Sequence, residues 1–191
     1  MKSITHFIVC FNGNSTVILR GGRQVFIRDL KLDDEVLIVE QSAEGVMKLG
    51  YSRLLALDVY QKWNTSSSID YLEIKTEYDD HNEGNPLHIT PSHSLLVRRK
   101  YKTRKEYLFA SEVMVDDFLY QTVNNHQSII ETPITEINRI KQFDAYAPLT
   151  FGGNIIVNNR IVSCYGTFSH STGHLVKMPR RYWLRFRHGF T

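Results

Sequence analysis

The clearest alternation in the chain is the run Asp70 to Tyr78, DYLEIKTEY. Leu72, Ile74 and Thr76 fall on one face, and Glu73, Lys75 and Glu77 on the other. A period of two predicts a strand with one buried face. Short apolar-rich runs bounded by turn residues recur along the sequence. STVILR (15–20) ends at Gly21-Gly22, a turn, and RQVFI follows it. EVLIVEQ comes next, then a polar turn over 42–45, then VMKLGYSRLLALDVYQ. EYLFA, FLYQTV, SIIETPITEI and NIIVNNRIVSCYG complete the series. DDHNEGNP (79–86) reads as a loop, and LHITPSHSLLVRR as an extended segment broken at Pro91. Strand signals recur and helix signals do not. The expected class is all-β, barrel-like or sandwich-like.

A weak internal repeat refines this picture. IRDLKLDDEVLI (27–38) is answered by ASEVMVDDFLYQ (110–121). Asp34 and Asp117 take corresponding places, each just before an apolar strand, and both read as structural. The pattern predicts two related halves about a pseudo-two-fold axis.

Composition narrows the classes. A chain of 191 residues with a 42% hydrophobic fraction can bury a core. Its net charge of +3 does not by itself point to nucleic acid. No apolar run approaches the roughly 18 residues of a membrane-spanning helix. MKSITHFIVCF is too short and too interrupted for a signal peptide. The triplets at Asn14 and Asn64 fit the glycosylation pattern and are expected by chance.

Residues 167–191 contain no acids. There Lys177, Arg180, Arg181, Arg185 and Arg187 alternate with Tyr182, Trp183, Phe186 and Phe190. Such a segment is an appendage that suits a membrane interface or, more simply, a solvated basic tail. A second basic run, Arg98 to Lys105, is expected at an exposed hairpin end rather than in a nucleic-acid patch. His170 and His174 lie four apart, but Gly173 between them argues against a helical metal site.

Only two cysteines are present, so no disulfide framework can exist. Cys10 sits in IVCFNGNSTV, at the front of a strand-like run. A cysteine that acts as a nucleophile needs a group to manage its proton. ITPSHSLLV (89–97) offers Thr90 and His93 on either side of a bend at Pro91, and His gives and takes protons near neutral pH.

Five stretches then occur in order: CFNGNSTV (10–17), DLKLDDEVL (29–37), YSRLLALD (51–58), LHITPSHSLLV (87–97) and YAPLTFGGNIIVNNRIVSCYG (146–166). Together they closely resemble the Hint module of Hedgehog-type proteins, the Hog autoprocessing domain. The resemblance covers roughly residues 8–166. It implies an all-β horseshoe of two pseudo-symmetric halves. It divides the chain into an upstream peptide (1–9), the Hint domain (10–166) and a C-terminal appendage (167–191) in the place of a sterol-recognition region.

The resemblance also implies roles. Cys10 is the nucleophile that attacks the carbonyl of Val9 and converts the Val9–Cys10 bond into a thioester. His93 protonates the departing nitrogen. Thr90 hydrogen-bonds and strains the scissile amide. Asp58 deprotonates a sterol hydroxyl in a second step, which carries the upstream segment away as an ester. Cys164 is a second thiol near the first, which could accept the acyl group, tune its reactivity or pair with it. No metal or resident cofactor is implied. A sterol or other lipid alcohol is the co-substrate, and the upstream segment of the same polypeptide is the partner. Sterol or membrane lipid contact falls to residues 167–191, with no nucleic acid and a monomeric state expected. The natural precursor is expected in the secretory pathway.

The sequence departs from the family in two places. Val9 stands where such proteins carry Gly, and its β-branch crowds the carbonyl. With only nine residues before Cys10, the chain reads as an isolated processing module or as a precursor with a token upstream peptide. Asp33 and Asp116 stand where Gly often precedes Asp, so those turns must avoid positive φ or tolerate it. Three alternatives remain: a thioester that ends in hydrolysis or transfer to another nucleophile, an inactive Hint-like binding module, and a trans-acting cysteine protease. Protein splicing is disfavoured, because Asn158-Asn159 is followed by Arg160.

Overall fold

The computed structural model describes residues 10–42, 46–61, 67–82, 84–123 and 125–165, with only the backbone at 80–82. The upstream peptide with Val9, the triplet at Asn64, His170 and His174, and the whole 167–191 appendage lie outside the described residues.

The described chain is built almost wholly from strands. A first hairpin joins β1 (Thr16–Ile18) to β2 (Gln24–Phe26), with Gly21 and Gly22 at positive φ in its turn. β3 (Glu35–Gln41) and the long β4 (Met47–Gln61) follow, then β5 (Ile69–Thr76), α1 (Glu77–Asn82) and β6 (Leu87–Ile89). The second half repeats the order. It runs through β7 (Ser94–Arg98), β8 (Lys105–Phe109), β9 (Phe118–Val123), the long β10 (Ser128–Gln142) and β11 (Ala145–Thr150). β12 (Asn154–Val157) and β13 (Arg160–Ser163) close the fold.

The two halves exchange strands. The first part of β4 pairs with β3, but its second part pairs with β11 of the other half. In the same way β10 pairs first with β9 and then with β5. Each long strand therefore belongs to both halves, and the sheet curls into the horseshoe.

The repeat seen in the sequence marks the two crossing points. Leu54 N donates to Asp34 O at 2.8 Å, and Ile134 N donates to Asp117 O at 2.8 Å. The Asp34 and Asp117 carboxylates each accept an amide three residues upstream, from Lys31 at 2.8 Å and from Met114 at 3.0 Å. Asp33 and Asp116 take the left-handed conformation, with φ of 75° and 71°. The turns tolerate positive φ without glycine, because Asp is among the residues that visit this region at modest cost.

The core draws on both halves. Val36, Leu54, Ile74, Leu95, Leu119 and Ile134 form part of one buried cluster. β12 and β13 are buried along their whole length, so they lack alternation and read as continuous runs. Asn158 and Asn159 sit at φ of 45° and 67° in the two-residue turn between them. Left-handed residues at both turn positions match the twist of the flanking strands.

The expected loop at 79–86 is corrected in part, since α1 takes its first residues. Asp79 Oδ2 accepts the Thr76 amide at 2.8 Å, the reciprocal half of a capping box. The same oxygen pairs with Arg160, which is fully buried in β13. The basic run spans the hairpin between β7 and β8. Arg98 meets Glu131 at 2.6 Å, Arg99 meets Asp117 at 3.0 Å and Lys100 meets Asp116 at 2.7 Å.

Candidate active site

Cys10 lies just before Phe11, and Phe11 ties the segment to β11. Phe11 N donates to Tyr146 O at 2.9 Å, and Tyr146 N returns the bond at 3.0 Å. Both backbone polar groups of Cys10 are held by Thr90. The Cys10 amide donates to Thr90 Oγ1 at 2.9 Å, and Thr90 N donates to Cys10 O at 3.1 Å. Thr90 begins a turn in which His93 N donates to Thr90 O at 3.0 Å, with Pro91 second in the turn. The bend at Pro91 therefore carries the hydroxyl and the imidazole to one place.

The His93 ring packs on Phe11, with ring centroids 4.3 Å apart. Its Nε2 lies 2.6 Å from the Ser163 carbonyl oxygen. A carbonyl only accepts, so Nε2 carries a hydrogen and donates. Nδ1 is buried and has no hydrogen-bond partner. Burial pushes the imidazole down to about 4, against the opposing influence of the Ser163 carbonyl and the Cys10 backbone. At neutral pH the ring is neutral, with its lone pair on Nδ1.

The Cys10 side chain is fully buried beside Tyr71 and Ala145. Burial pushes its thiol well above the usual cysteine range, and the negative charges of Asp58 and Asp144 add to the shift. Asp58, half-buried in β4 opposite Ala147 of β11, is thus within electrostatic reach of the Cys10 thiol.

Cys164 follows Ser163, whose carbonyl oxygen meets His93. It is half-buried against the main core, with Sγ 3.5 Å from Thr150 Oγ1, and both cysteines are free thiols. The peptide carbonyl of Val9 lies outside the described residues, whereas the nitrogen of the same bond is in place. Among the described residues no cluster of His, Cys, Asp and Glu could hold a metal ion.

Two residues at this site carry no sequence signal of their own. Asp144 accepts Asn12 Nδ2 at 2.9 Å and the Gly13 amide at 3.2 Å. Tyr71 donates its hydroxyl to the Asp144 carbonyl at 2.9 Å.

A horseshoe of two strand-exchanged halves, with Cys, Thr and His gathered at one buried point, is an intein-like architecture. The fold is similar to the Ssp DnaB mini-intein variant M86, with a TM-score of 0.64 at 19% identity, over 84% of this chain and 97% of that one. It is also similar to a bacterial intein-like domain from Clostridium thermocellum, with a TM-score of 0.58 at 14% identity, over 83% and 99%.

The chain belongs to the Hint module family, whose profile matches residues 2–190. Among curated relatives it is 25% identical to Protein hedgehog of Drosophila hydei, over 94% of this chain and 35% of that protein. It is 29% identical to Indian hedgehog protein of Xenopus laevis over 82% and 36%, and 24% identical to Warthog protein 1 of Caenorhabditis elegans over 85% and 30%. The chain thus spans about a third of the length of these relatives. Membership of the Hint module family supports autoprocessing by self-cleavage.

Proposed function

We propose that the chain cleaves its own Val9–Cys10 peptide bond through a thioester on Cys10 and then passes the upstream segment to a lipid alcohol. The observation that carries this reading is the 2.9 Å hydrogen bond from the Cys10 amide to Thr90 Oγ1, with the His93 ring packed on the adjoining Phe11. The amide belongs to the bond to be broken. Thr90 fixes the direction of its N–H, which leaves the nitrogen lone pair to receive a proton on another face.

The electrostatics favour a neutral starting state. The thiol is pushed up and the imidazole is pushed down, so they do not form a resting ion pair. As Sγ bonds to the Val9 carbonyl carbon, the thiol proton passes to His93 Nδ1. The same proton then goes to the Cys10 nitrogen as the C–N bond breaks. The products are a thioester and a free α-amine. An imidazolium in so dry a site is a strong acid, suited to protonating a poor leaving group.

In the second step an alcohol oxygen attacks the thioester carbonyl and Asp58 takes its proton. The C–S bond breaks, the sulfur is reprotonated, and the upstream segment leaves as an ester. A sterol acceptor, lipid contact through 167–191 and a precursor in the secretory pathway are part of this proposal, suggested by the similarity to hedgehog proteins. Water in place of the alcohol gives hydrolysis.

The test is the mass of the released upstream peptide. Purified chain is incubated with dithiothreitol, and separately with a sterol in detergent micelles. A dithiothreitol adduct in the first case and a sterol adduct in the second are expected. The acid alone in both reduces the activity to hydrolysis, and no release in either overturns the proposal.

A further inference from the structure

The turn that follows Cys10 is held by a side chain far away in sequence. Asn12, 2% exposed, donates Nδ2 to Asp144 Oδ1 at 2.9 Å and to Gln142 Oε1 at 3.0 Å. Its Oδ1 accepts the Asn14 amide at 2.8 Å. Asp144, also 2% exposed, takes the Gly13 amide on Oδ2 at 3.2 Å. A Cβ at Gly13 would stand 2.6 Å from a Tyr146 ring carbon and 2.7 Å from Asp144 Oδ2. The turn closes onto Asp144 only because position 13 has no side chain. Tyr71, 1% exposed, holds Asp144 in place from β5 through its carbonyl.

We propose that Asp144 is a positioning residue for the nucleophile: its carboxylate pins the Asn12–Gly13 turn immediately after Cys10, and Tyr71 anchors Asp144 in turn. The inference rests on the reading of Cys10 as the nucleophile. A carboxylate is an apt clamp here because it accepts two donors at once, and charge-assisted hydrogen bonds are the stronger ones. The clamp lies one residue beyond Phe11, whose backbone already fixes the outgoing strand. Together they leave Cys10 little freedom to swing out of the Thr90 and His93 cradle.

The clamp also has an electrostatic effect. The charged and titratable groups that bear on the Cys10 thiol are Asp58 from β4, Tyr71 from β5 and Asp144 itself, while His93 from the Pro91 turn meets the Cys10 backbone. Those bearing on Asp144 are Arg28, Tyr71, Tyr146 and Cys10. Burial is the main cause that keeps the thiol protonated, and Asp144, with Asp58, adds to it.

The test compares Asp144→Ala, Asp144→Asn, Asn12→Ala and the Asn12→Ala/Asp144→Ala pair. Each full-length variant is followed by iodoacetamide labelling of Cys10 and by release of the upstream peptide in dithiothreitol. Cys164 in the same molecules is the internal control for general loosening.

Loss of a charge-assisted clamp is expected to change Cys10 labelling about tenfold upward and peptide release about tenfold downward, with Cys164 unchanged. The double variant should fall short of the sum of the two single effects, because the singles share the Asn12–Asp144 contact. Asp144→Asn, which keeps an oxygen for Asn12, should fall between. If wild type releases nothing, the reading of Cys10 as nucleophile fails, and the labelling series alone decides the clamp. Unchanged Cys10 labelling, additive effects of the pair, or Cys10 and Cys164 rising together would overturn the inference.

Discussion

His93 Nε2 stands 2.6 Å from the carbonyl oxygen of Ser163, the residue just before the second cysteine. That contact fixes the tautomer, with the hydrogen on Nε2 and the lone pair on Nδ1. It also makes β13 a part of the site, because this strand supplies the group that orients the ring.

Burial holds folded His93 at about 4 against 6.5 for the free side chain. The unfolded chain binds this proton first as pH falls, so folding loses stability between about pH 6.5 and pH 4. The full contribution, about 3 kcal/mol by linkage, is present above that window. Urea unfolding of wild type from pH 7 to 4 should show the loss, and His93→Gln should flatten this part of the curve. A His93 resonance, assigned by its absence in His93→Gln, that titrates near 6.5 in the folded protein would contradict it.

Thr90→Val removes one hydroxyl at constant shape. It leaves the buried Cys10 amide without an acceptor, which costs about 1–3 kcal/mol of stability. Peptide release in dithiothreitol should slow by at least about tenfold beyond what the lost stability explains. Thr90→Ser, which keeps the oxygen, should retain most of the rate.

Asp58→Asn separates the two chemical steps. Release by dithiothreitol, which needs no base for an alcohol, should persist, whereas transfer to a sterol should fall by at least about a hundredfold. Equal loss of both would place Asp58 in the first step or in the fold.

Arg160 and Asp79 form a buried pair joining β13 to α1. Arg160→Met leaves Asp79 buried with an unpaired charge and should cost about 3–5 kcal/mol in urea unfolding. The paired variant Arg160→Met/Asp79→Leu should recover a large part of that loss. Arg160 also donates to Asn85 O at 2.7 Å, and Asn158 Nδ2 to Pro86 O at 2.7 Å, on the run into β6 and Thr90. Disturbance of this corner should therefore reach the site.

Much of this architecture is legible in the sequence. The face formed by Leu72, Ile74 and Thr76 is buried as the alternation predicts. The paired Asp34 and Asp117 turns mark the two crossing points of the halves. Other features had a local signal that strand periodicity hides. TEYD at 76–79 is a capping-box pattern, and it starts α1 inside a stretch that otherwise reads as loop. Asn158-Asn159 is a turn pair set in a run that is apolar because both of its strands are buried.

The strand exchange has no local signal, because alternation tells which face is buried and not which strand lies alongside. Asp144 is hidden for the same reason. Its partners Asn12 and Gly13 lie more than a hundred residues away, and next to Ala145 it reads only as a turn former. Cys10, Thr90 and His93 stand out because two short motifs carry them, and the Pro91 turn converts sequence spacing into proximity.

The central claim is that a thioester forms on Cys10. Hydroxylamine at neutral pH attacks thioesters and leaves ordinary peptide bonds intact, so it reads that species directly. Intact-mass analysis of wild type in hydroxylamine should show the upstream peptide released as a hydroxamate, together with a chain that begins at Cys10. Cys10→Ala under the same conditions should remain whole. A wild type that stays intact, or a Cys10→Ala variant that is cut as fast, would contradict the account.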